Sequence, residues 1–139
     1  MEKDCIFCKI ANKVIPSYKV YEDDYVLAFL DISQTTLGHT LVISKEHYDS
    51  FLSTPPSVIN KVMRVAQKIG IILVHDFKAK GVNILTNCGE AAGQKISHFH
   101  VHVIPRYIAG DGFRLEMKKN EDLDKINLPA LASDIKSKL

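Results

Sequence analysis

The stretch Ser97-His98-Phe99-His100-Val101-His102-Val103-Ile104 holds three of the chain's six histidines at alternate positions. On an extended strand, side chains point to opposite faces with a period of two. His98, His100 and His102 would then share one face, while Phe99, Val101 and Val103 point into a core. Same-face neighbours stand roughly 7 Å apart. Three kinds of role fit that pattern. One is the polar face of an amphipathic strand. The second is an open zinc site completed by a distant histidine. The third is nucleophilic catalysis, in which a neutral imidazole nitrogen attacks phosphorus and flanking donors hold the oxyanions that develop. The loop just upstream, Asn87-Cys88-Gly89-Glu90-Ala91-Ala92-Gly93-Gln94, carries two glycines. Loops of this kind turn backbone N–H groups toward anions, which favours phosphate chemistry.

Sulfur supplies a second constellation. The three cysteines are Cys5, Cys8 and Cys88. The amino terminus has no apolar stretch of the secretory kind, so a cytoplasmic protein is expected, and an odd cysteine count argues against a disulfide framework. In a reducing compartment, Cys5-x-x-Cys8 reads as half of a metal site or as a redox pair. Cys88 is expected to be an inert, half-buried thiol. His75 is expected late in a helix, near its carboxyl end.

The elements that must position these groups fit a single domain over residues 1–139. Hydrophobic residues make up 46% and charged residues 24%, with a net charge of +2. Those values exclude disorder and give no reason to propose nucleic-acid or membrane-surface binding. No apolar run approaches the roughly 20 residues of a membrane span. A short helix is expected over residues 6–13 and strands over 18–21 and 25–29, with Glu22-Asp23-Asp24 as the turn between them. A third strand is expected over 39–44. Thr54 as N-cap and Pro55 as first helical residue open a long helix to about residue 77, with Val58, Val62, Val65, Ile69 and Ile72 as its apolar stripe and Gly70 weakening its middle. Strands follow over 81–86 and 97–104, the last stopped by Pro105. A polar tail from about residue 106 includes one helix after Pro129. The fold class is α+β, a five-stranded antiparallel meander with one long helix and a short N-terminal helix.

Residues 98–104 match the histidine triad (HIT) signature, His-φ-His-φ-His-φ-φ with φ apolar, at every position. The chain resembles that superfamily from residue 6 to about 106, through Phe29-Leu30-Asp31-Ile32, Gly38-His39-Thr40, Asn87 and Gly93-Gln94. The resemblance implies a homodimeric nucleotide hydrolase or transferase with a five-stranded antiparallel sheet in each subunit. His100 would attack the α-phosphorus of a purine (adenosine) nucleotide conjugate and form a covalent nucleotidyl-histidine, which water then hydrolyses. The backbone carbonyl of His98 would hold the far nitrogen of His100, and His102 and His39 would contact the phosphate. Asp31 would bind the ribose hydroxyls. Ile6, Phe7, Phe29, Ile32 and Leu41 would line the base slot, and Asn87, Gly93 and Gln94 would lie along the phosphates.

One branch of the superfamily joins an N-terminal C-x-x-C to two histidines. Here these would be Cys5, Cys8, His47 and His98, implying one structural zinc per chain. Two branches mix in this sequence. Asn87 is similar to the Hint-like branch, which cleaves nucleoside phosphoramidates. Val103-Ile104-Pro105-Arg106 and the long tail are similar to the Fhit-like branch, which cleaves dinucleoside polyphosphates. Lys95 stands where Hint-like members carry a serine, and a lysine there would contact a longer phosphate chain. The alternative to an enzyme is a zinc-stabilised module that binds a nucleotide or a protein with little turnover.

Overall fold

The computed structural model describes residues 2–139. Its elements are α1 (Ile6–Ala11), β1 (Lys19–Glu22), β2 (Val26–Leu30), β3 (Thr40–Ser44), α2 (Pro56–His75), β4 (Gly81–Leu85), β5 (His100–Arg106) and α3 (Leu128–Ser137). All five strands form one antiparallel sheet in the order β1-β2-β3-β5-β4. The α+β class and the five-stranded antiparallel sheet are as expected, but the order departs from a strict meander in one place. Helix α2 carries the chain past the neighbour of β3, so β4 becomes the edge and β5 fills the slot beside β3.

Strand alternation sorts the sheet into two faces. Val26, Ala28, Val42, Val101 and Val103 face α2, meeting Val62, Val65, Ala66, Ile69 and Leu73, with Phe99 completing this core. The opposite face carries Leu27, Phe29, Leu41 and Ile43, which pack under Phe7 of α1. Residues of β5 obey the same rule. Val101 and Val103 belong to the α2 side, leaving His100 and His102 on the face that α1 only partly covers. The hydrophobic burial that fastens α2 thus also fixes which way the histidines look.

Several boundaries differ from the sequence expectation for identifiable reasons. Pro105 does not stop β5, which continues to Arg106 and pairs Pro105 with Val82. The Pro105 carbonyl accepts from the Thr36 hydroxyl at 2.5 Å, so this residue turns its backbone polar groups away from β4, and its missing N–H costs no ladder bond there. Ser97, His98 and Phe99 lie before the strand rather than in it. Helix α2 begins at Pro56 with Pro55 in the cap position, while the Thr54 hydroxyl donates to the Ser50 carbonyl instead. Gly70 does not interrupt α2. It is buried, and a Cβ there would meet Val82 and Ile84 at ordinary van der Waals distance, so the helix lies close on β4. The buried stripe of α2 ends on Leu73 rather than Ile72, which is exposed. Among the described residues, no helix is long and apolar enough to cross a membrane.

Candidate functional site

A cavity of about 590 Å³ opens on the sheet face opposite α2. That volume lies in the range of small-molecule sites. Its floor is a row across four strands, in which Phe29 pairs with Leu41, Leu41 with His102, and His102 with Leu85. His100 and Ile104 flank His102 on the same face of β5. One wall is α1 and the segment after it, with Ile6, Phe7 and Ile10. Asp31 and His39 enter from the β2–β3 connection, and Asn87, Gly93 and Lys95 from the loop after β4.

Two hydrogen bonds set the tautomers. His100 Nδ1–H donates to the His98 carbonyl at 2.6 Å. The lone pair therefore sits on Nε2, in a ring that lines the cavity. The Thr86 hydroxyl donates to the His100 carbonyl at 2.8 Å and anchors the backbone on that side. His39 Nε2 lies 3.0 Å from His102 Nδ1. The buried His39 Nδ1 finds no partner among the described residues. The Asp31 carboxylate, 3.8 Å from His39 Nε2, favours the proton on that nitrogen, from which it donates to His102 Nδ1. His102 is then left with an Nε2–H donor.

His39 is brought to this position by Gly38, whose φ of +101° suits glycine and whose added Cβ would stand 2.8 Å from Leu73 Cδ2. Gln34 accepts the Gly38 N–H at 2.8 Å and donates to the His39 carbonyl at 2.8 Å, so the connection is held at both ends.

Burial keeps the rings neutral. It pushes His102 down to about 4, helped by the neighbouring His100 and His39, with Asp31 opposing. Burial also lowers His100, against its hydrogen bond to the His98 carbonyl and the Asp31 charge, and lowers His39 against Asp31. Burial works against ionisation of Asp31 as well. There the Ser33 hydrogen bonds and the two nearby histidines outweigh it and hold the carboxyl below its ordinary value. Ser33 occupies Asp31 Oδ1, and Oδ2 stands 3.8 Å from His39 Nε2.

A stability prediction follows from His102. Its folded value of about 4 lies below the ordinary 6.5, so between those pH values the unfolded chain binds more protons. Stability should therefore be fully present above about pH 6.5 and fall as pH drops toward 4. Thermal unfolding at pH 7.5 and pH 5, compared with the same pair for His102→Gln, measures it. The variant should lose less between the two pH values, and equal losses would contradict the assignment.

The second cluster lies at the start of β5. Cys5 Sγ is 3.3 Å from His98 Nδ1, Cys8 Sγ is 3.3 Å from His47 Nδ1, and Cys8 Sγ is 3.6 Å from His98 Nδ1. All four ligand atoms lie within 4.8 Å of one another. The outer nitrogens are engaged as metal-bound imidazoles require. His98 Nε2–H donates to the Ser44 carbonyl at 2.6 Å, and His47 Nε2–H to Asp49 Oδ1 at 3.1 Å. Two thiols and two imidazole nitrogens so oriented fit a tetrahedral Cys₂His₂ metal centre.

The structure gathers almost all residues singled out in the sequence. Ile6, Phe7, Phe29, Asp31, Ile32, His39, Leu41, Asn87, Gly93, Lys95, His100 and His102 line one cavity. Gln94 does not. Its amide donates to the Asp49 and Ile96 carbonyls and accepts from the Gly89 N–H, so it ties the loop together. Reasoning from sequence missed Leu85, Ile104 and Phe113. Register places the first two beside His102, but Phe113 depends on a fold-back with no local periodic signal.

A family model described as HIT domain matches residues 12–109. A HIT-like protein of Borreliella burgdorferi is 50% identical over 125 residues, covering 88% of this chain and 90% of that one. The crystal structure of a HIT family protein from Bacillus anthracis superposes with a TM-score of 0.91 at 43% identity, covering 100% of this chain and 99% of that one. Three further relatives carry informative descriptions. An adenosine 5′-monophosphoramidase of Saccharomyces cerevisiae is 35% identical over 91% of this chain and 78% of its own. An adenylylsulfatase of Arabidopsis thaliana is 42% identical over 76% of this chain and 54% of its own. A zinc-bound histidine triad protein of Mycobacterium smegmatis has a TM-score of 0.74 at 34% identity, covering 98% of each chain.

Proposed function

The chain belongs to the HIT domain family, and on that premise we propose that it hydrolyses adenylyl conjugates at the α-phosphorus through a covalent nucleotidyl-His100. The observation that carries this reading is the 2.6 Å bond from His100 Nδ1–H to the His98 carbonyl, which leaves Nε2 as a lone pair in the cavity. A neutral ring is the nucleophilic form, and burial keeps it so. Nε2 forms a bond to phosphorus as the bond from phosphorus to the leaving group breaks. The leaving group departs with the electron pair and takes a proton from solvent, which the water that hydrolyses the intermediate gives back. Water then attacks phosphorus, the P–N bond breaks, and adenosine monophosphate leaves with His100 restored.

The other groups have roles matched to their chemistry. His102 Nε2–H donates to a non-bridging oxygen and stabilises the negative charge that develops there, while its Nδ1 is held by His39. Asn87 and the Gly93 backbone supply further contacts to the phosphate oxygens. Asp31 Oδ2, free of Ser33, takes the ribose hydroxyls. Ile6, Phe7, Phe29, Ile32 and Leu41 hold the base. Lys95 is the ammonium available to oxygens of the departing group. The named activities of the yeast and Arabidopsis relatives, on a phosphoramidate and on an adenylyl sulfate, support the adenylyl half of the substrate.

The Cys5, Cys8, His47 and His98 centre is read as structural zinc, one per chain. When bound, zinc supplies a closed tetrahedral crosslink. The chain's own part is to tether α1, and with it the base wall, to the residue whose carbonyl orients His100. Two copies are expected to pair, as the family resemblance implies. Release of adenosine monophosphate from adenosine 5′-phosphoramidate, from adenylyl sulfate and from a dinucleoside polyphosphate tests the reading. Turnover of any of the three supports it, and binding of adenosine monophosphate without turnover of any would leave the binding-module alternative.

A further inference from the structure

Beyond His102 and Ile104, the next residue on the cavity face of β5 is Arg106, and it grips the chain that follows. Its Nε donates to Asp111 Oδ1 at 2.7 Å, Nη2 to the Asp111 and Phe113 carbonyls at 3.0 and 2.6 Å, and Nη1 to Asn83 Oδ1 at 2.8 Å. The Asp111 carboxylate also accepts the Tyr107 N–H at 2.9 Å. The turn over residues 106–113 is thus closed at its neck by one mostly buried ion pair. Its outer side is pressed on the β2–β3 connection. The Tyr107 hydroxyl donates to the Leu37 carbonyl at 2.6 Å. At Gly112, with φ +52°, an added Cβ would sit 2.0 Å from the Thr35 carbonyl oxygen. Only glycine passes there. The clasp delivers Phe113, whose ring lies 5.5 Å from the Arg106 guanidinium and lines the same cavity as His100.

None of this is needed by the phosphorus chemistry above, yet it builds a second apolar wall. The first wall is at the other end of β5, where Phe7 is 5.0 Å from His100 and 5.7 Å from Phe29. In-line attack by His100 expels the leaving group on the far side of phosphorus, up from the floor and into the space between the two walls. Ammonia or sulfate alone would leave Phe113 facing water. An aromatic group there would remove apolar surface from water on both partners. We infer that the Phe113 wall forms a subsite for an aromatic or bulky apolar group borne by the leaving group. Phe113 is its specificity-determining side chain, and Arg106 is the positioning residue that holds Phe113 there. The inference rests on the proposed function, in which the base takes the α1 side.

Calorimetric binding to the His100→Ala chain tests it, because that chain should leave the ligands intact. The probes are adenosine 5′-phosphoramidate and the same compound with an indolylethyl group on its nitrogen. The substituted probe should bind about tenfold tighter. Phe113→Ala on that background should remove the advantage and leave the unsubstituted probe within about twofold. Gly112→Ala and Arg106→Gln should do the same by displacing the ring, whereas general loss of structure would weaken both probes alike. Equal affinities in the parent chain, or an advantage that survives Phe113→Ala, overturns the subsite. Failure of the hydrolase reading shows separately, as absent turnover of the unsubstituted probe by the His100 chain. Failure of both probes to bind overturns the base slot and the subsite together.

Discussion

His100→Ala should lower turnover of adenosine 5′-phosphoramidate by at least about 10⁴-fold, the scale seen when a covalent nucleophile is removed from a preorganised site. The remaining groups cannot replace it. His102 Nδ1 is occupied by His39, and its Nε2 carries a proton. His98 is fully buried, with both nitrogens turned to Ser44 and the two cysteines. Affinity for adenosine monophosphate should change by no more than a few-fold, because the base wall, Asp31 and the phosphate donors stay in place. The fold should survive. His100 lies on the cavity face, so its loss enlarges an existing pocket rather than opening the α2 core. A retained kcat within tenfold of the parent, measured by release of adenosine monophosphate, would remove His100 from the mechanism.

Removal of the bound metal, or Cys8→Ala, should have the second-largest effect, this time on stability. The four ligands bring together three parts of the chain: α1, the segment after β3, and the entry to β5. Structural zinc contributes on the order of 10 kcal/mol where it is a fold's main support. Here a packed core on α2 carries much of the fold, so a loss of about 3–5 kcal/mol is expected. That corresponds to about 10–15 °C in Tm for a chain of this length. Activity should fall with it, because the His98 carbonyl that orients His100 belongs to a ligand residue. Differential scanning calorimetry before and after chelation, with metal content by elemental analysis, measures the change. A metal-free chain with unchanged Tm would refute the structural role.

The site was legible in the sequence to the extent that it obeys local periodicity. Alternation along β5 separated His100 and His102 from Val101 and Val103, and the core confirms that division. The same alternation predicts His98 on that strand, but it precedes β5 and its ring is committed to Ser44 and the cysteines. A proline lacks its N–H, so the sequence predicts a stop at Pro105; the strand continues because the Pro105 carbonyl turns toward Thr36, where no ladder bond is required. Gly70 lowers the intrinsic helix preference of α2, yet the helix runs through it unbroken because that position is buried against the sheet, where packing outweighs propensity. The swap of β4 and β5 could not be seen in one sequence. Local pattern fixes strands and faces, and order depends on where a crossover helix returns. Gln94 belonged to a recognisable motif, but only the fold shows its amide bonding to Asp49 and Ile96. Phe113 was hidden in a polar tail, because a single arginine ties it to the cavity across a turn.

The central claim is that one neutral imidazole attacks phosphorus. Rapid quenching of the enzyme with adenosine 5′-phosphoramidate, followed by peptide mass spectrometry under conditions that preserve phosphorus–nitrogen bonds, tests it directly. The account predicts an adenylyl group on the peptide bearing His100, formed within one turnover and lost on the timescale of product release. Turnover with no adduct, or an adduct on His102 or His39 instead, would contradict it.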